Sequence, residues 1–311
     1  MSKTAFIFPG QGSQSIGMTA DIAGEFDVVA ETFAEASEVL SYDLWDVVQN
    51  GPEERLGSTE VTQPALLAAG IATWRAWKAL GGDNPDVMAG HSLGEYTALV
   101  AAGSLSFSDA VGLVARRGQL MQQATPAGSG AMAAVLGLDD DVLVGVCEQA
   151  SEGQVVSCAN FNSPGQVVIA GDKAAVDRAC ELATEAGARR AIPLAVSVPS
   201  HCELMRPAAE ALETVLAGIE VGALGIPVLH NVSTNPAGEP DEVRAALVQQ
   251  LWRPVRWSDT VLRLVADGVE RFAECGPGKV LAGLNRRISR PSDTVALTDA
   301  AALRTTLEKW S

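Results

Sequence analysis

A serine in a glycine-flanked turn is the first group in this chain whose spacing suits catalysis. Residues 90–94 read GHSLG, the G-x-S-x-G pattern in which the glycines let the backbone turn sharply and hold the serine hydroxyl above a strand end. An ordinary strand-to-helix turn is the other interpretation, because a chain with 30 glycines contains such pentapeptides by chance. The apolar run 87–90 before Ser92 and the helix formers at 96–102 after it favour nucleophilic catalysis.

A serine hydroxyl is a weak nucleophile at neutral pH, so a base must lie within hydrogen-bond reach. The chain has only three histidines. His91 is adjacent to Ser92 and is expected to support the turn, because neighbours on a tight turn point apart. His230 ends an apolar strand, where a half-buried structural role is favoured. His201 follows the extended segment 198–200 and is therefore the candidate base, with a neighbour of a helix cap as the alternative.

The elements that position Ser92 read as the start of an α/β unit. Residues 4–8 form a short apolar, β-prone run, and residues 9–13 (PGQGS) break it with a tight, open loop. Helical spacing of Ala, Val, Leu and Trp follows at 21–48 and at 62–80. The short strand at 87–90 comes next. Strand, sharp turn and helix thus occur in the order that a nucleophile at a strand end requires.

A different pattern of predicted elements separates this unit from its continuation. The pattern is the split βαββαβ order of a ferredoxin-like unit: strand 131–138, helix 140–150, strand 155–160, strand 166–170, helix 173–186 and strand 190–196. Pro126, Gly128 and Gly130 indicate a hinge at its entry, and Pro193 and Pro199 flank its exit.

The α/β texture then returns near the C-terminal end. Helices are predicted at 207–216 and 243–251, and strands at 227–231 and 268–274. We therefore predict a hydrolase-like large subdomain, residues 1–127 and 199–311, with a central, mostly parallel sheet. A ferredoxin-like small subdomain, residues 128–198, is inserted into it.

Composition excludes several function classes. Hydrophobic residues make up 47% of the 311 residues, yet no apolar run approaches the roughly 20 residues that span a bilayer, so we predict no membrane association. The N-terminal residues move directly into a strand and a glycine turn without a signal-peptide pattern, which predicts a cytoplasmic protein. The net charge of −16 would repel a nucleic-acid backbone, so nucleic acid is not expected as a partner.

The cysteines do not form a metal-binding or disulfide pattern. Their number is odd, and no C-x-x-C pair occurs, so neither a disulfide framework nor a zinc site is predicted. We expect buried thiols in a reducing compartment at Cys147, Cys158, Cys180, Cys202 and Cys275.

Four motifs together make the chain resemble a known family. They are residues 8–14 (FPGQGSQ), 90–96 (GHSLGEY), 198–202 (VPSHC) and 274–281 (ECGPGKVL). The chain is similar in these motifs, and in their order, to the malonyl-CoA:acyl-carrier-protein transacylases of bacterial fatty-acid synthesis and to the related acyltransferase domains of polyketide synthases. The motifs span almost the whole chain, so the joint signal is specific.

The resemblance implies a ping-pong transfer without a cofactor, in which malonyl-CoA is a substrate and an acyl-carrier protein is the partner. It implies that Ser92 attacks the malonyl thioester and that His201 is the general base. It also implies that the backbone N–H groups of Gln11 and Leu93 stabilise the oxyanion. Finally, it implies that a backbone carbonyl at Gln250 orients the histidine, so that the site is a Ser-His dyad.

The same resemblance implies that an arginine selects the substrate. In the family, an arginine at the position of Arg117 grips the free carboxylate of malonate, whereas Arg116 is assigned to the surface. Without the resemblance, the Arg-Arg pair reads as a solvated helix face. The residues that we further expect to line the cleft are His91, Asn160, Asn162, Asn231 and Val280.

Two other classes of function stay open at this point. The same serine could serve a hydrolase that admits water, although a fixed cation at Arg117 speaks against a general esterase. A non-catalytic module that binds an acyl-carrier protein would not need Ser92, His201 and Gln11 together. The choice between malonyl and methylmalonyl, between fatty-acid and polyketide synthesis, and the oligomeric state also stay open. Basic residues are expected to receive the acidic carrier protein: Lys279, Arg286, Arg287 and Arg290.

Overall fold

The protein is described by a computed structural model that covers residues 2–126, 128–196, 198–236 and 238–310. The strands in these ranges are β1 (Lys3–Phe8), β2 (Val87–Gly90), β3 (Gly130–Leu136), β4 (Val156–Ser163), β5 (Gln166–Asp172), β6 (Arg190–Pro193), β7 (Val228–Leu229), β8 (Val269–Glu274) and β9 (Asp293–Ala296).

The helices surround these strands in an α/β order. They are α1 (Ala20–Glu25), α2 (Asp27–Leu40), α3 (Leu44–Asn50), α4 (Glu53–Gly57), α5 (Thr59–Ala79), α6 (Gly94–Ala101), α7 (Phe107–Gln123), α8 (Asp140–Ser151), α9 (Lys173–Glu185), α10 (Arg206–Leu216), α11 (Pro240–Gln250), α12 (Trp257–Ala266), α13 (Val280–Ile288) and α14 (Ala300–Trp310).

The larger sheet is parallel and has the strand order β7-β2-β1-β8-β9. Its central strands are buried on both faces, which explains why β1 and β2 read as continuous apolar runs instead of alternating ones. Parallel strands end at the same edge of a sheet. The loops after β1, β2 and β8 therefore meet at one edge, and these loops contain three of the four sequence motifs.

The smaller sheet is antiparallel and has the order β4-β5-β3-β6. Together with α8 and α9 this is the ferredoxin-like βαββαβ arrangement. The two helices cover one face of the sheet with an apolar core of their own. On the other face, Met132 and Val168 pack in a cluster that includes Cys202 of the large lobe.

The predicted fold class is confirmed by this combination of a parallel central sheet and an inserted antiparallel one. All four strands of the smaller sheet lie inside the segment 128–198 that the sequence assigned to a second subdomain. The predicted limits at Met1, Ala127 and Ser311 lie outside the described residues, and the division into subdomains stays a prediction.

Several element boundaries differ from the sequence-based expectation. The helical stretch at 21–48 is three helices, because Phe26 is extended and Ser41 adopts a left-handed conformation with φ 60°. The strand expected at 227–231 has only two residues. The strand expected to reach residue 196 ends at Pro193, after which the N–H of Val196 bonds to the carbonyl of Leu194.

The described residues contain no helix that is both long and apolar enough to cross a membrane. They also contain no group of three or more His, Cys, Asp or Glu side chains placed to hold a metal ion. The five cysteines are free thiols. Four are buried, whereas Cys180 on α9 is only half-buried, which corrects the expectation that the whole set would be buried.

Candidate active site

Ser92 stands on a sharp turn between β2 and α6. Its φ is +51°, a left-handed conformation that is uncommon for a residue with a side chain and that marks strain at the turn. A Cβ on Gly90 would approach the main chain of Gly94 to 1.9 Å, and a Cβ on Gly94 would approach the carbonyl oxygen of Phe8 to 2.0 Å. Only glycine fits at either position. The two glycines therefore let the turn close tightly against β1.

His201 lies directly beside the serine hydroxyl although it is 109 residues further along the chain. The distance from Ser92 Oγ to His201 Nε2 is 2.8 Å. On the other side of the ring, Nδ1 lies 2.7 Å from the main-chain oxygen of Gln250. A carbonyl oxygen can only accept, so Nδ1 carries the proton and Nε2 presents its lone pair to the hydroxyl. This tautomer can take a proton from Ser92.

The surroundings of His201 keep its imidazole neutral. Burial, and after it the nearby Arg117 cation, lower the pKa of His201 to about 3, although the hydrogen bond to Gln250 acts in the opposite direction. The residue is 2% exposed. A neutral imidazole that accepts from a hydroxyl is the form that a general base requires.

Arg117 on α7 is a buried cation at the side of the same site, 1% exposed. Its Nη1 donates to Gln63 Oε1 at 2.8 Å and its Nη2 donates to Gln250 Oε1 at 3.0 Å. The guanidinium also lies over the ring of Tyr96, 5.3 Å from its centroid. Its Nε has no hydrogen-bond partner, and no carboxylate of the described residues forms an ion pair with it.

A buried guanidinium with neutral partners keeps its charge available for a ligand. The neighbouring Arg116 is exposed and bonds only to Gln119 at 3.2 Å. Because the two arginines are neighbours on α7, their side chains point in different directions: Arg117 lies in the site and Arg116 lies at the surface.

Two backbone N–H groups, those of Gln11 and Leu93, belong to the loops that follow β1 and β2. Within the described residues, neither the N–H of Gln11 nor that of Leu93 donates to any acceptor. Both residues line the same cavity as Ser92. The loop that contains Gln11 comes close because position 10 is glycine: a Cβ there would lie 2.4 Å from the carbonyl oxygen of His91. Free donors of this kind can stabilise a negatively charged oxygen.

Behind the turn, three buried polar side chains hold the backbone in place. Asn231 Nδ2 donates to the carbonyl of Gly90 at 2.6 Å, and its Oδ1 accepts from the N–H of Ser92 at 2.7 Å. Gln250 Nε2 donates to the carbonyl of Ser92 at 2.8 Å and to Glu95 Oε2 at 2.9 Å. The other oxygen of Glu95 accepts from Nδ1 of His230 at 2.6 Å.

Sequence reasoning missed three of these contributions: Gln63, Glu95 and the side-chain amide of Gln250. A signal for Glu95 was present, because a carboxylate in the otherwise apolar stretch after Ser92 has no reason to be there unless it is bonded. Gln63 had no such signal.

Except for Asn231, the remaining predicted residues line one cavity of about 570 Å³ between the two sheets. His91 points across it, and its Nε2 bonds to Asn162 Oδ1 at 2.8 Å. Burial lowers the pKa of His91. Asn160 lines the cavity with a buried Oδ1 that has no partner among the described residues, and the exposed Val280 lies at the rim of the cavity. Asn231 does not line the cavity but lies behind the turn, so its expected place in the cleft is wrong.

Comparisons with known proteins agree in one family. Residues 5–299 match the family model described as "Acyl transferase domain". The chain is 57% identical to a malonyl CoA-acyl carrier protein transacylase of Haemophilus influenzae, with 97% of each chain covered. It is 54% identical to the protein of the same name from Escherichia coli strain K12, with 99% of this chain and 100% of the other covered.

Solved structures give the same result. A malonyl-transacylase in complex with its type II PKS acyl-carrier protein is 55% identical, with a TM-score of 0.98 over 99% of this chain and 100% of the other. An acyl carrier protein S-malonyltransferase from Vibrio cholerae is 56% identical, with a TM-score of 0.97 over 98% and 100%.

Proposed function

The chain belongs to the acyl transferase family, and from this premise we propose that it moves a malonyl group from malonyl-CoA to the phosphopantetheine thiol of an acyl-carrier protein. The proposal depends on one observation. Ser92 and His201, 2.8 Å apart, line the same cavity as Arg117, which is buried and has no anionic partner among the described residues. A reactive hydroxyl and a fixed cation suit an acyl group that ends in a carboxylate.

The first half of the reaction loads the serine. Ser92 Oγ attacks the thioester carbonyl carbon while His201 Nε2 takes the hydroxyl proton. The tetrahedral intermediate collapses with cleavage of the C–S bond, and Nε2 returns the proton to the leaving sulfur, so that free CoA departs. The enzyme then holds malonate as a serine ester. The Nδ1–H bond to Gln250 keeps the ring oriented while Nε2 is protonated.

The second half repeats these steps in reverse order. The carrier-protein thiol gives its proton to His201 Nε2, and its sulfur attacks the ester carbonyl. The intermediate collapses with cleavage of the bond to Ser92 Oγ, which takes the proton back. Both intermediates place negative charge on the former carbonyl oxygen, where the N–H groups of Gln11 and Leu93 would donate to it. Removal of one such donor in other enzymes costs about 10²–10³ in rate.

Arg117 supplies selectivity for a dicarboxylic acyl group. Its guanidinium has no anionic partner within the described residues, and it retains donor hydrogens beyond those bonded to Gln63 and Gln250. A malonyl carboxylate would satisfy the cation. An acetyl group would leave it buried and unpaired, and sites built to bond a polar group reject the analogue that lacks it.

The rim of the cavity offers a path for the phosphopantetheine arm that CoA and the carrier protein share. Arg190 and Ile192 occupy alternate positions on the edge strand β6, and Leu194 and Val196 continue from them into the cavity. All four residues are exposed, as is Val280 across the opening. The apolar part of the arm can pack on this stripe while its phosphate lies near Arg190.

The carrier protein is expected to dock beside this opening. Of the four basic residues predicted to receive it, Lys279 and Arg290 are exposed, and their side chains form no hydrogen bond or ion pair within the described ranges. Arg286 already bonds to the carbonyl of Thr294, and Arg287 bonds to Gln166. Lys279 and Arg290 are therefore the cations with most charge to offer an acidic surface.

We assign this activity to fatty-acid or polyketide synthesis in the cytoplasm. The location is supported by five free cysteine thiols, which a reducing compartment preserves. The reaction needs no cofactor besides the CoA thioester that is its substrate.

One assay tests the function. The protein is incubated with malonyl-CoA labelled in the malonyl group and with a phosphopantetheinylated acyl-carrier protein, and the label is followed onto the carrier thiol or into free malonate. Transfer to the carrier is expected. Release as free malonate would identify a hydrolase, and the absence of both products would identify a binding module.

A further inference from the structure

Glu95 is a buried carboxylate that lies outside the cavity and yet touches the residues that build it. It sits in the first turn of α6, three positions after Ser92, and is fully buried. Its Oε1 accepts from Nδ1 of His230 at 2.6 Å. Its Oε2 accepts from the N–H of Asn231 at 3.0 Å and from Gln250 Nε2 at 2.9 Å. Burial of a carboxylate is costly, so a specific role is expected of it.

Gln250 connects this carboxylate to the reacting groups. Its main-chain oxygen accepts from His201, and its side-chain Oε1 accepts from Arg117 Nη2 at 3.0 Å. Its Nε2 bonds both to Glu95 and to the carbonyl of Ser92. A single glutamine therefore contacts the base, the cation and the nucleophile's backbone, and Glu95 holds the amide of that glutamine.

The donor and acceptor chemistry fixes which way this amide points. A carboxylate only accepts and a guanidinium only donates. The NH₂ group of Gln250 must therefore face Glu95, and its oxygen must face Arg117. In a flipped amide, the oxygen would face two acceptors, Glu95 and the Ser92 carbonyl, and the NH₂ group would face the donor Arg117 Nη2.

The amide also separates two opposite charges. Glu95 and Arg117 are linked through Gln250 and do not form an ion pair with each other. The cation thus has a nearby counter-charge that reduces the cost of its burial, while its remaining donors stay free for a ligand. A direct ion pair would have used those donors.

We propose that Glu95 is a positioning residue for malonyl selection: by orienting the Gln250 amide, it holds the Arg117 guanidinium where it meets the acyl carboxylate. This inference rests on the proposed function. It assigns no contact between Glu95 and the substrate.

The test compares two substitutions, Glu95→Gln and Glu95→Ala, by kcat/KM for malonyl-CoA and for acetyl-CoA. Glutamine keeps the size and the acceptor for Gln250 and Asn231, and its NH₂ can donate to His230 if that ring moves its proton to Nε2. It removes the charge and the fixed orientation. Alanine removes every bond. We expect the malonyl-to-acetyl ratio to fall about threefold for glutamine and about tenfold or more for alanine.

A matched control comes from the other fully buried glutamate. Glu274 accepts from the N–H groups of Leu281 and Ala282 at the start of α13 and does not contact Gln250. Glu274→Gln should lower the melting temperature and change kcat/KM for malonyl-CoA and for acetyl-CoA by the same factor. The malonyl-to-acetyl ratio should therefore keep its wild-type value. The ratio, and not the overall rate, is therefore the diagnostic quantity.

The outcomes separate this inference from the function on which it rests. If wild-type protein carries no malonyl group on Ser92, the proposed function fails. If wild-type protein transfers malonyl normally and Glu95→Gln lowers kcat/KM for both substrates by the same factor, Glu95 is merely structural and the inference is overturned. Glu95→Gln alone decides the matter should Glu95→Ala be insoluble.

Discussion

Asn231 holds the backbone of Ser92, because its Oδ1 accepts from the N–H of Ser92 at 2.7 Å while its Nδ2 donates to the carbonyl of Gly90 at 2.6 Å. The side-chain amide of Asn231 thus connects Gly90, the last residue of β2, to Ser92, which lies beyond the end of the strand. The positive φ of Ser92 is maintained by this bridge together with the bond from Gln250 to the carbonyl of Ser92. The strained turn is a property of the packed large lobe and not of the pentapeptide alone.

Asn231→Ala should therefore lower both stability and turnover. The substitution leaves the N–H of Ser92 and the carbonyl of Gly90 without their partner. Each buried group left unsatisfied in this way lowers the free energy of unfolding by about 1–3 kcal/mol. Thermal unfolding and kcat with malonyl-CoA check the prediction. Asn235→Ala is the control, because Asn235 is exposed on the same loop. Equal behaviour of the two variants would contradict the bridging role.

Ser92→Ala should abolish the acyl-enzyme. Wild-type protein mixed with malonyl-CoA should gain the mass of one malonyl group, and the variant should gain none, with transfer reduced by at least about a thousandfold. Intact-mass spectrometry makes the measurement. Ser108→Ala, at an exposed position of α7, should label like wild type. A persistent adduct on the Ser92 variant would move the nucleophile elsewhere.

Arg117→Ala should remove the preference for malonyl over acetyl groups. We expect kcat/KM for malonyl-CoA to fall about 100-fold or more, because the malonyl carboxylate loses the buried cation that binds it, while acetyl transfer is kept or gained. Arg116→Ala changes the exposed neighbour and should leave the ratio as it is. An unchanged ratio in the Arg117 variant would remove that residue from substrate selection.

The pH dependence should also report Arg117. Its charge disfavours the imidazolium, so it helps burial to depress the pKa of His201 to about 3. The base is then unprotonated at mildly acid pH, and the acid limb of kcat/KM should lie well below the ordinary range of histidine. In Arg117→Ala the pKa of His201 should rise, and the limb should move to higher pH. Acetyl-CoA is the substrate for both proteins, because it has no carboxyl group to titrate. Superimposable profiles would contradict the electrostatic coupling.

Charge reversal should locate the carrier-protein surface. Lys279→Glu with Arg290→Glu should raise KM for the carrier protein, because its acidic surface would meet negative charge. Loading of Ser92 from malonyl-CoA in the absence of carrier protein should stay at the wild-type level. The same reversal at Arg286 and Arg287 should have the smaller effect, since both already bond within the chain. Unaltered carrier kinetics in both double variants would place the docking surface elsewhere.

The fold was largely predictable because its signals are local. Apolar runs such as β1 and β2 have no polar alternation, and this is the pattern of strands buried on both faces. The βαββαβ order of the inserted segment came from the alternation of short strands and amphipathic helices. Boundaries were less predictable: the breaks at Phe26 and Ser41 depend on how α1, α2 and α3 pack, and neither of these two residues is a proline or a glycine.

The sequence by itself determined the family, the α/β class and the residue types of the site, because these depend on motifs and their order along the chain. Only the tertiary structure decided the relations among those residues: the 2.8 Å contact between Ser92 and His201, the proton position on the imidazole, and the amide that joins Glu95 to Arg117. The reason is that hydrogen bonds act over about 3 Å, whereas the bonded residues are between 49 and 155 positions apart along the chain. Only packing of the sheets and helices can bring such groups to that distance.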